Sequence, residues 1–413
     1  MINTAKSYFL NEDKYVLFVY LFLFLTPWNL IKSQVAISSL ILIFWGFIKY
    51  RAVILEKIKI IWLFKPLSLL VGFISFCFIS IFWSESFYEG FMMVYNFHKY
   101  ELLFGTALLL SLDKKQAIIS VKVLLLSFTL YSIFSILIYC DLVSIVGSSS
   151  DNPKGILRFS ISTQYMVITS FSAIFFSFYS KKKSEKFLFL LAFLISLFAL
   201  YINYSRTSQL AFLFILSIFL LMLLMKHTKS LKFYIMSFLI IIAVIFSITQ
   251  NTKMINKFNS AVKEVKNIYN NNIYSGSFGV RLYFNKAGMK ILQDNFFFGT
   301  GPADNRMILI EMQKEDQQYK GRIINHFHSE HMEILTAYGF IGYSLLFSAI
   351  VLLIYKLRHM ALYYYLSLSV FLTLFFVSFG NKTLALKPLN YVYIIFFILF
   401  SIIAYQTNLE KKA

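Results

Sequence analysis

The residues best equipped for chemistry lie in one polar stretch, from about Asn251 to His331, that interrupts an otherwise apolar chain. It holds Arg281, the glycine-bearing segment FFFGTGPADN from Phe296 to Asn305, and His326, His328 and His331 within six residues. A neutral imidazole, with an ordinary pKa of about 6.5, accepts a proton from a hydroxyl nucleophile near neutral pH, which is the usual task of a general base. A guanidinium is permanently charged, and its planar fork grips phosphate oxygens in pairs. Arg281 stands near the start of a predicted helix, where free backbone N–H groups also favour an anion. Arg206, in NYSRTSQ, has a similar setting just before an apolar run, with Asn203, Ser205, Thr207 and Gln209 around it. Its other reading is an arginine that snorkels to lipid phosphates. Two arginines suit a diphosphate better than one.

Three histidines flanked by Glu330 and Glu333 also invite a metal. The cluster lacks the His-Glu-x-x-His order of a zinc helix, however, and no carboxylate stands at a recognised ligand spacing. Base catalysis with no metal and no other cofactor is therefore the expectation. If the next apolar helix begins early enough to include His328, the eleven residues to Gly339 are three helical turns, and His328, Gly339 and Gly342 share a face. GTGPADN lacks the Lys-Ser/Thr pair of a phosphate loop and reads as a tight turn near substrate, with Asp304 a secondary participant. His326, His331, Arg158 and Lys99 complete the secondary candidates, since ionisable groups in or near membrane spans are costly. Lys99 and Glu101 alternatively pair with each other.

The elements that must position these groups are membrane helices. The chain of 413 residues is 59% hydrophobic and 19% aromatic, with a mean hydropathy of +0.70, a balance that water-soluble domains do not reach. An all-α polytopic membrane protein is expected. The net charge of +20 comes in short clusters between apolar runs, which argues for cytoplasmic loops and against nucleic-acid binding. The two cysteines, Cys77 and Cys140, fall in or at the end of apolar runs and suggest neither a thiolate metal site nor a disulfide framework. The polar start, Met1 to Asp13, precedes an apolar run without an obvious cleavage site, so that run is expected to remain as a span.

Apolar runs near the length that crosses a bilayer give about twelve spans. They include a short second run at Val35 to Ile48, a fourth at Phe91 to Leu112 that holds His98, Lys99 and Glu101, a ninth at Phe233 to Ile248 and a tenth at Met332 to Tyr355. The cationic clusters around Lys57, Lys115, Lys182, Lys229, Lys356 and Lys411 all follow even-numbered spans. Lysine and arginine in short loops resist translocation, so both termini are expected in the cytoplasm and the long polar stretch outside. The expected organisation is nine spans over residues 1–249, an outer catalytic loop over 250–331, and three spans over 332–413. Within the loop, Val280, Phe284, Ala287 and Ile291 at helical spacing predict an amphipathic helix on the membrane surface.

His328-Ser329, nine residues and Gly339-x-x-Gly342, together with GTGPADN and the arginine of NYSRTSQ, resemble the O-antigen ligase family, a group that also holds O-antigen polymerases and protein O-oligosaccharyltransferases. The plan of twelve spans with a large loop between the ninth and tenth is also similar to that family and to the wider GT-C glycosyltransferase architecture. The resemblance implies a metal-independent, inverting transfer of a glycan from undecaprenyl diphosphate to a lipid A-core sugar hydroxyl, at the periplasmic face of a bacterial inner membrane. It implies diphosphate binding by Arg206 and Arg281 and action on the acceptor by His328. An O-antigen polymerase is the nearest alternative, but Arg158, Arg281 and Arg306 lack the glycine that some polymerases carry after fifteen further residues. A protein O-oligosaccharyltransferase is another. A transporter or flippase would instead put its ionisable groups at the membrane midplane.

Overall fold

The computed structural model describes residues 12–31, 33–226 and 252–411. The described chain is helical, with isolated β-bridges such as Tyr274 to Tyr319 and no strand. In order come α1 (Lys14–Leu25), α2 (Gln34–Tyr50), α3 (Ile54–Leu63), α4 (Lys65–Ile79) with a 3-10 turn at Ser80–Trp83, α5 (Phe87–Ser111), α6 (Lys114–Tyr139), α7 (Phe159–Tyr179), α8 (Lys183–Ile202) and α9 (Arg206–Lys226). Three helices then form an outer layer: α10 (Thr252–Asn271), α11 (Gly276–Asn295) and α12 (Asp304–Glu315). The chain closes with α13 (Glu330–Leu357), α14 (Ala361–Val377) and α15 (Lys387–Glu410).

Helices are what a chain this apolar must form, because hydrocarbon offers no partner for a backbone N–H or C=O. Their ends are written locally. Asp113 and Gln116 make a reciprocal capping box at the start of α6, with Asp113 Oδ1 accepting from the Gln116 N–H at 2.7 Å. Pro66 and Pro388 open α4 and α15, where a missing N–H costs nothing. Seven described helices are long and apolar enough to cross a membrane, and an eighth span results if α2 and α3, bent by 113°, count as one. This is a multi-pass membrane protein, with seven or eight of the expected spans recognisable by length and composition among the described residues. The helices α1 and α14 are apolar but shorter. The predicted span Phe233 to Ile248 lies outside the described residues. The helix α3 was not foreseen; Lys57 and Lys59 disguise an apolar surface that leaves Leu55, Trp62 and Leu63 exposed.

Burial separates the centre from the lipid face. The membrane segment of α15 is 83% buried and that of α7 78%, against 22% for α8, so α15 and α7 form the axis and α8 faces outward. Polar side chains in α7 satisfy themselves: Thr169 Oγ1 and Ser170 Oγ donate to carbonyls one turn back, and Gln164 Oε1 accepts from the Tyr393 hydroxyl at 2.8 Å.

The outer layer has its own apolar core of Tyr283, Phe284, Ala287, Ile291, Leu309, Tyr319 and Phe327. This corrects the expectation of a membrane-lying helix over Val280 to Ile291. The face of α11 that the periodicity picks out is turned into the protein, with Phe284 fully buried.

Candidate active site

Five chain segments bring their ends together at one pole of the bundle: the starts of α7, α9 and α11, the approach to α13, and the turn after α14. Arg206 is the first residue of α9, and its Nη2 reaches Ser277 Oγ at 3.5 Å. Arg281, one turn into α11, donates from Nη1 to the Ser277 hydroxyl at 2.8 Å and carbonyl at 2.9 Å, and from Nε to the Gly380 carbonyl at 3.2 Å. Two arginines 75 positions apart (281 − 206) thus converge on one serine. Burial disfavours the charge on Arg281, and so does Arg206, while Glu264 opposes both. Glu264, from α10, caps the start of α11: its Oε2 accepts from the N–H groups of Phe278 at 2.6 Å and Gly279 at 3.1 Å.

His328 is not on the helix that follows. α13 starts at Glu330, capped by Ser329, whose Oγ accepts from the Met332 N–H. His328 itself is held in a left-handed conformation at φ +53°, a rare state for a non-glycine residue that its neighbours enforce. On one side the Phe327 N–H donates to Glu333 Oε2 at 3.2 Å. On the other, the Glu330 N–H donates to the carbonyls of Ser378 and Asn381 at 2.9 and 3.1 Å. The imidazole stacks on Phe284 and lies 4.3 Å, centroid to centroid, from the His326 ring. Burial, then Arg281 and Lys382, lower the pKa of His328 to about 4. Burial, Lys382, His328, Arg306 and Arg158 lower that of His326 to about 3.

The shared helical face of His328, Gly339 and Gly342 is therefore overturned. Gly339 interrupts α13 with φ +63° and ψ −170°, a conformation essentially restricted to glycine. Across this break the GTGP turn lies directly on α13. The Thr300 and Gly301 N–H groups donate to the Thr336 and Ala337 carbonyls at 2.9 and 3.0 Å, and those of Phe340 and Ile341 return to Phe296 and Phe297 at 2.8 and 3.1 Å. A side chain at Gly339 would run into the Phe297 carbonyl. GTGPADN is a tight turn, as expected, but what it approaches is α13.

The remaining candidates divide. Asp304 accepts from Ser84 Oγ at 2.9 Å and from the Glu85 N–H at 2.7 Å, which pins the outer layer to the start of α5. His331 is enclosed by aromatic rings; its Nε2 donates to the Phe375 carbonyl at 2.9 Å and its Nδ1 accepts from the Tyr343 hydroxyl at 3.1 Å. Lys99 donates to Asn96 Oδ1 at 2.8 Å and lies over Tyr95 and Tyr100. It does not pair with Glu101, which takes His98 Nδ1 at 2.8 Å and Asn390 instead. Arg158, just before α7, does belong to the charge cluster around His326.

Sequence reasoning missed Lys382, Glu264 and the ion pair in which Arg306 Nε and Nη2 each meet Glu333 Oε1 at 2.6 Å. Lys382 carried a signal like that of Arg206, a cation in a connection expected on the side where short loops avoid them. Among the described residues no group of three or more His, Cys, Asp or Glu is arranged to hold a metal ion. Glu330, Glu333 and Arg306 also border a cavity of about 50 Å³ that His98, Glu101 and Asn390 line as well.

Comparison with known proteins gives one result on top of this geometry. A search of curated proteins finds no match, whereas residues 191–347 match the family model described as O-Antigen ligase. The matched stretch takes in Arg206, Arg281, Arg306, His326 and His328, that is, all but Arg158 and Lys382 of the cations and histidines gathered at the pole. Over residues 191–347, fewer than half of its length, the chain is thus similar to the O-antigen ligase family.

Proposed function

We propose that the protein is an O-antigen ligase: an inverting glycosyltransferase that moves a polysaccharide from undecaprenyl diphosphate to a sugar hydroxyl of lipid A-core, at the periplasmic face of the inner membrane. The observation that carries this reading is the convergence of Arg206 and Arg281 on Ser277, with the charge of Arg281 reaching the imidazole of His328. A periplasmic reaction needs a donor that is already activated, and a lipid diphosphate is one whose leaving group calls for cations. In the proposed step the acceptor oxygen attacks the anomeric carbon, and the bond from that carbon to the phosphate oxygen breaks. The electron pair leaves with undecaprenyl diphosphate, whose charge Arg206 and Arg281 hold. The hydroxyl proton passes to His328 and from there to water. Attack opposite the leaving group inverts the anomeric centre.

The depressed pKa of His328 gives this scheme an order. Arg281 and Lys382 are its two electrostatic causes, so an anion laid on either cation strengthens the base. His328 then becomes an effective proton acceptor only when substrate is in place. A strain lacking the protein tests the reaction type. A ligase predicts that lipid-linked polymer persists while lipopolysaccharide loses it; the disappearance of polymer, leaving single repeat units, would establish a polymerase instead.

A further inference from the structure

The cations around the histidines form two groups. Arg206 and Arg281 meet on Ser277 and are assigned above to the donor diphosphate. Lys382 and Arg158 form the other. The helices α7 and α14 pack antiparallel, since Tyr365 near the start of α14 meets Phe175 and Tyr179 near the end of α7. This puts Arg158, immediately before α7, beside the turn that carries Lys382, five residues past the end of α14. The turn is fixed, because the carbonyl of Asn381 accepts from the Glu330 N–H at 3.1 Å, two residues from His328.

Among the described residues neither the Lys382 nor the Arg158 side chain has an ion-pair or hydrogen-bond partner. The two nearby carboxylates are engaged: Glu333 by Arg306 and the Phe327 N–H, Glu330 by the Ala385 N–H at 3.2 Å. Lys382 is half-buried, and loss of solvent is the main cause that lowers its pKa. Glu333 and Glu330 offset that loss only in part, against the repulsion of Arg306 and Arg158, so a ligand that supplies further negative charge lowers the penalty. The two groups also act on different rings. Arg281 bears on His328, Arg158 and Arg306 bear on His326, and Lys382 bears on both.

We propose that Lys382, with Arg158 beside it, is a second anion seat, which binds a phosphate or carboxylate substituent of the acceptor saccharide on the His326 side of the catalytic histidine. This rests on the transferase reading and extends it to the chemical class of the acceptor, an anionic sugar. The donor diphosphate is already matched by two arginines, and the base must reach the acceptor hydroxyl. Lys382 and Arg158, which bear on His326, are the cations this leaves for the acceptor.

The test uses full-length protein in nanodiscs, lipid-linked donor and lipid A-core acceptor. The acceptor is supplied untreated, phosphatase-treated, or with its carboxylates amidated, so that the two sources of charge are separated. Lys382→Gln should raise KM for untreated acceptor about ten-fold or more, the scale of one hydrogen bond to a charged group, and leave KM for donor within about two-fold. Lys382→Arg should restore most of the loss. The acceptor form that lacks the recognised group should be used poorly by wild type and be indifferent to Lys382→Gln. Arg158→Gln, at an exposed position, should shift acceptor KM in the same direction and serves if the lysine variant is unstable. A rise in donor KM instead, or an equal effect of Lys382→Gln on every acceptor form, would overturn the seat. Wild type that uses all three acceptors equally would refute the seat alone; wild type that transfers to none would refute the ligase reading and the seat with it.

Discussion

The protonation of His328 is the sharpest quantity that the fold adds to the sequence. An unperturbed imidazole titrates at about 6.5, whereas in the ligand-free protein burial, Arg281 and Lys382 hold His328 at about 4. At pH 5.5 an ordinary histidine is about 9% neutral and one at about 4 is about 97% neutral, a ten-fold difference in available base. The direct assay is an NMR titration of the histidine rings in the full-length protein. The chain has six histidines, and the resonance lost in His328→Ala identifies the one of interest. A midpoint near 4 is expected without ligand, with His326 lower still, near 3. A non-hydrolysable lipid diphosphate should move the His328 midpoint upward, because it neutralises Arg281, and should move His326 less. Arg281→Gln should raise the His328 midpoint in the same direction without any ligand. A ligand-free midpoint at or above 6, or no response to diphosphate, would refute the electrostatic coupling between Arg281 and His328.

His328→Ala should lower the transfer rate by about 10²- to 10⁴-fold, the usual worth of a general base, while His331→Gln should chiefly lower the melting temperature because that ring packs and bonds within the bundle. Arg206→Ala and Arg281→Ala should each reduce kcat by about 10²- to 10³-fold, as for loss of one group that stabilises developing charge. Lysine at either position should rescue poorly, and full activity of both lysine variants would reduce the requirement to charge alone. A reporter active only outside the cytoplasm should be active when fused near Asn272 and silent near Lys182; the reverse pattern would overturn the proposed orientation. Gly339→Ala should destabilise the protein by about 1–3 kcal/mol, the scale of a strained backbone position, read as a lower melting temperature in detergent, and wild-type stability would contradict the backbone contact with Phe297.

Composition and hydropathy were enough to establish a helical, multi-pass membrane protein, because a bilayer leaves an apolar chain few other ways to satisfy its backbone. Residue chemistry marked Arg206, Arg281 and His328 as candidates, and the structure brings the three to one pole. Guanidinium and imidazole keep their chemical abilities in any fold, and a cation that stands where short loops avoid it is visible in one dimension. What periodicity could not decide was which way a face points. The apolar stripe of α11 was assigned to the membrane and is buried against Phe327 and Leu309 instead, since a pattern reports that a face is covered and not by what. Nor could spacing reveal that α13 breaks at Gly339. Three turns of ideal helix put His328 and Gly339 on one face, but that geometry requires every intervening residue to be helical, and His328 stands outside the helix in a left-handed turn. The pairing of Asp304 with Ser84 and Glu85, and the gathering of Lys382, Arg158 and His326, join residues 56 to 224 positions apart. Contacts of that kind leave no local pattern in a sequence, and only the packing of the helix ends brought them to one place.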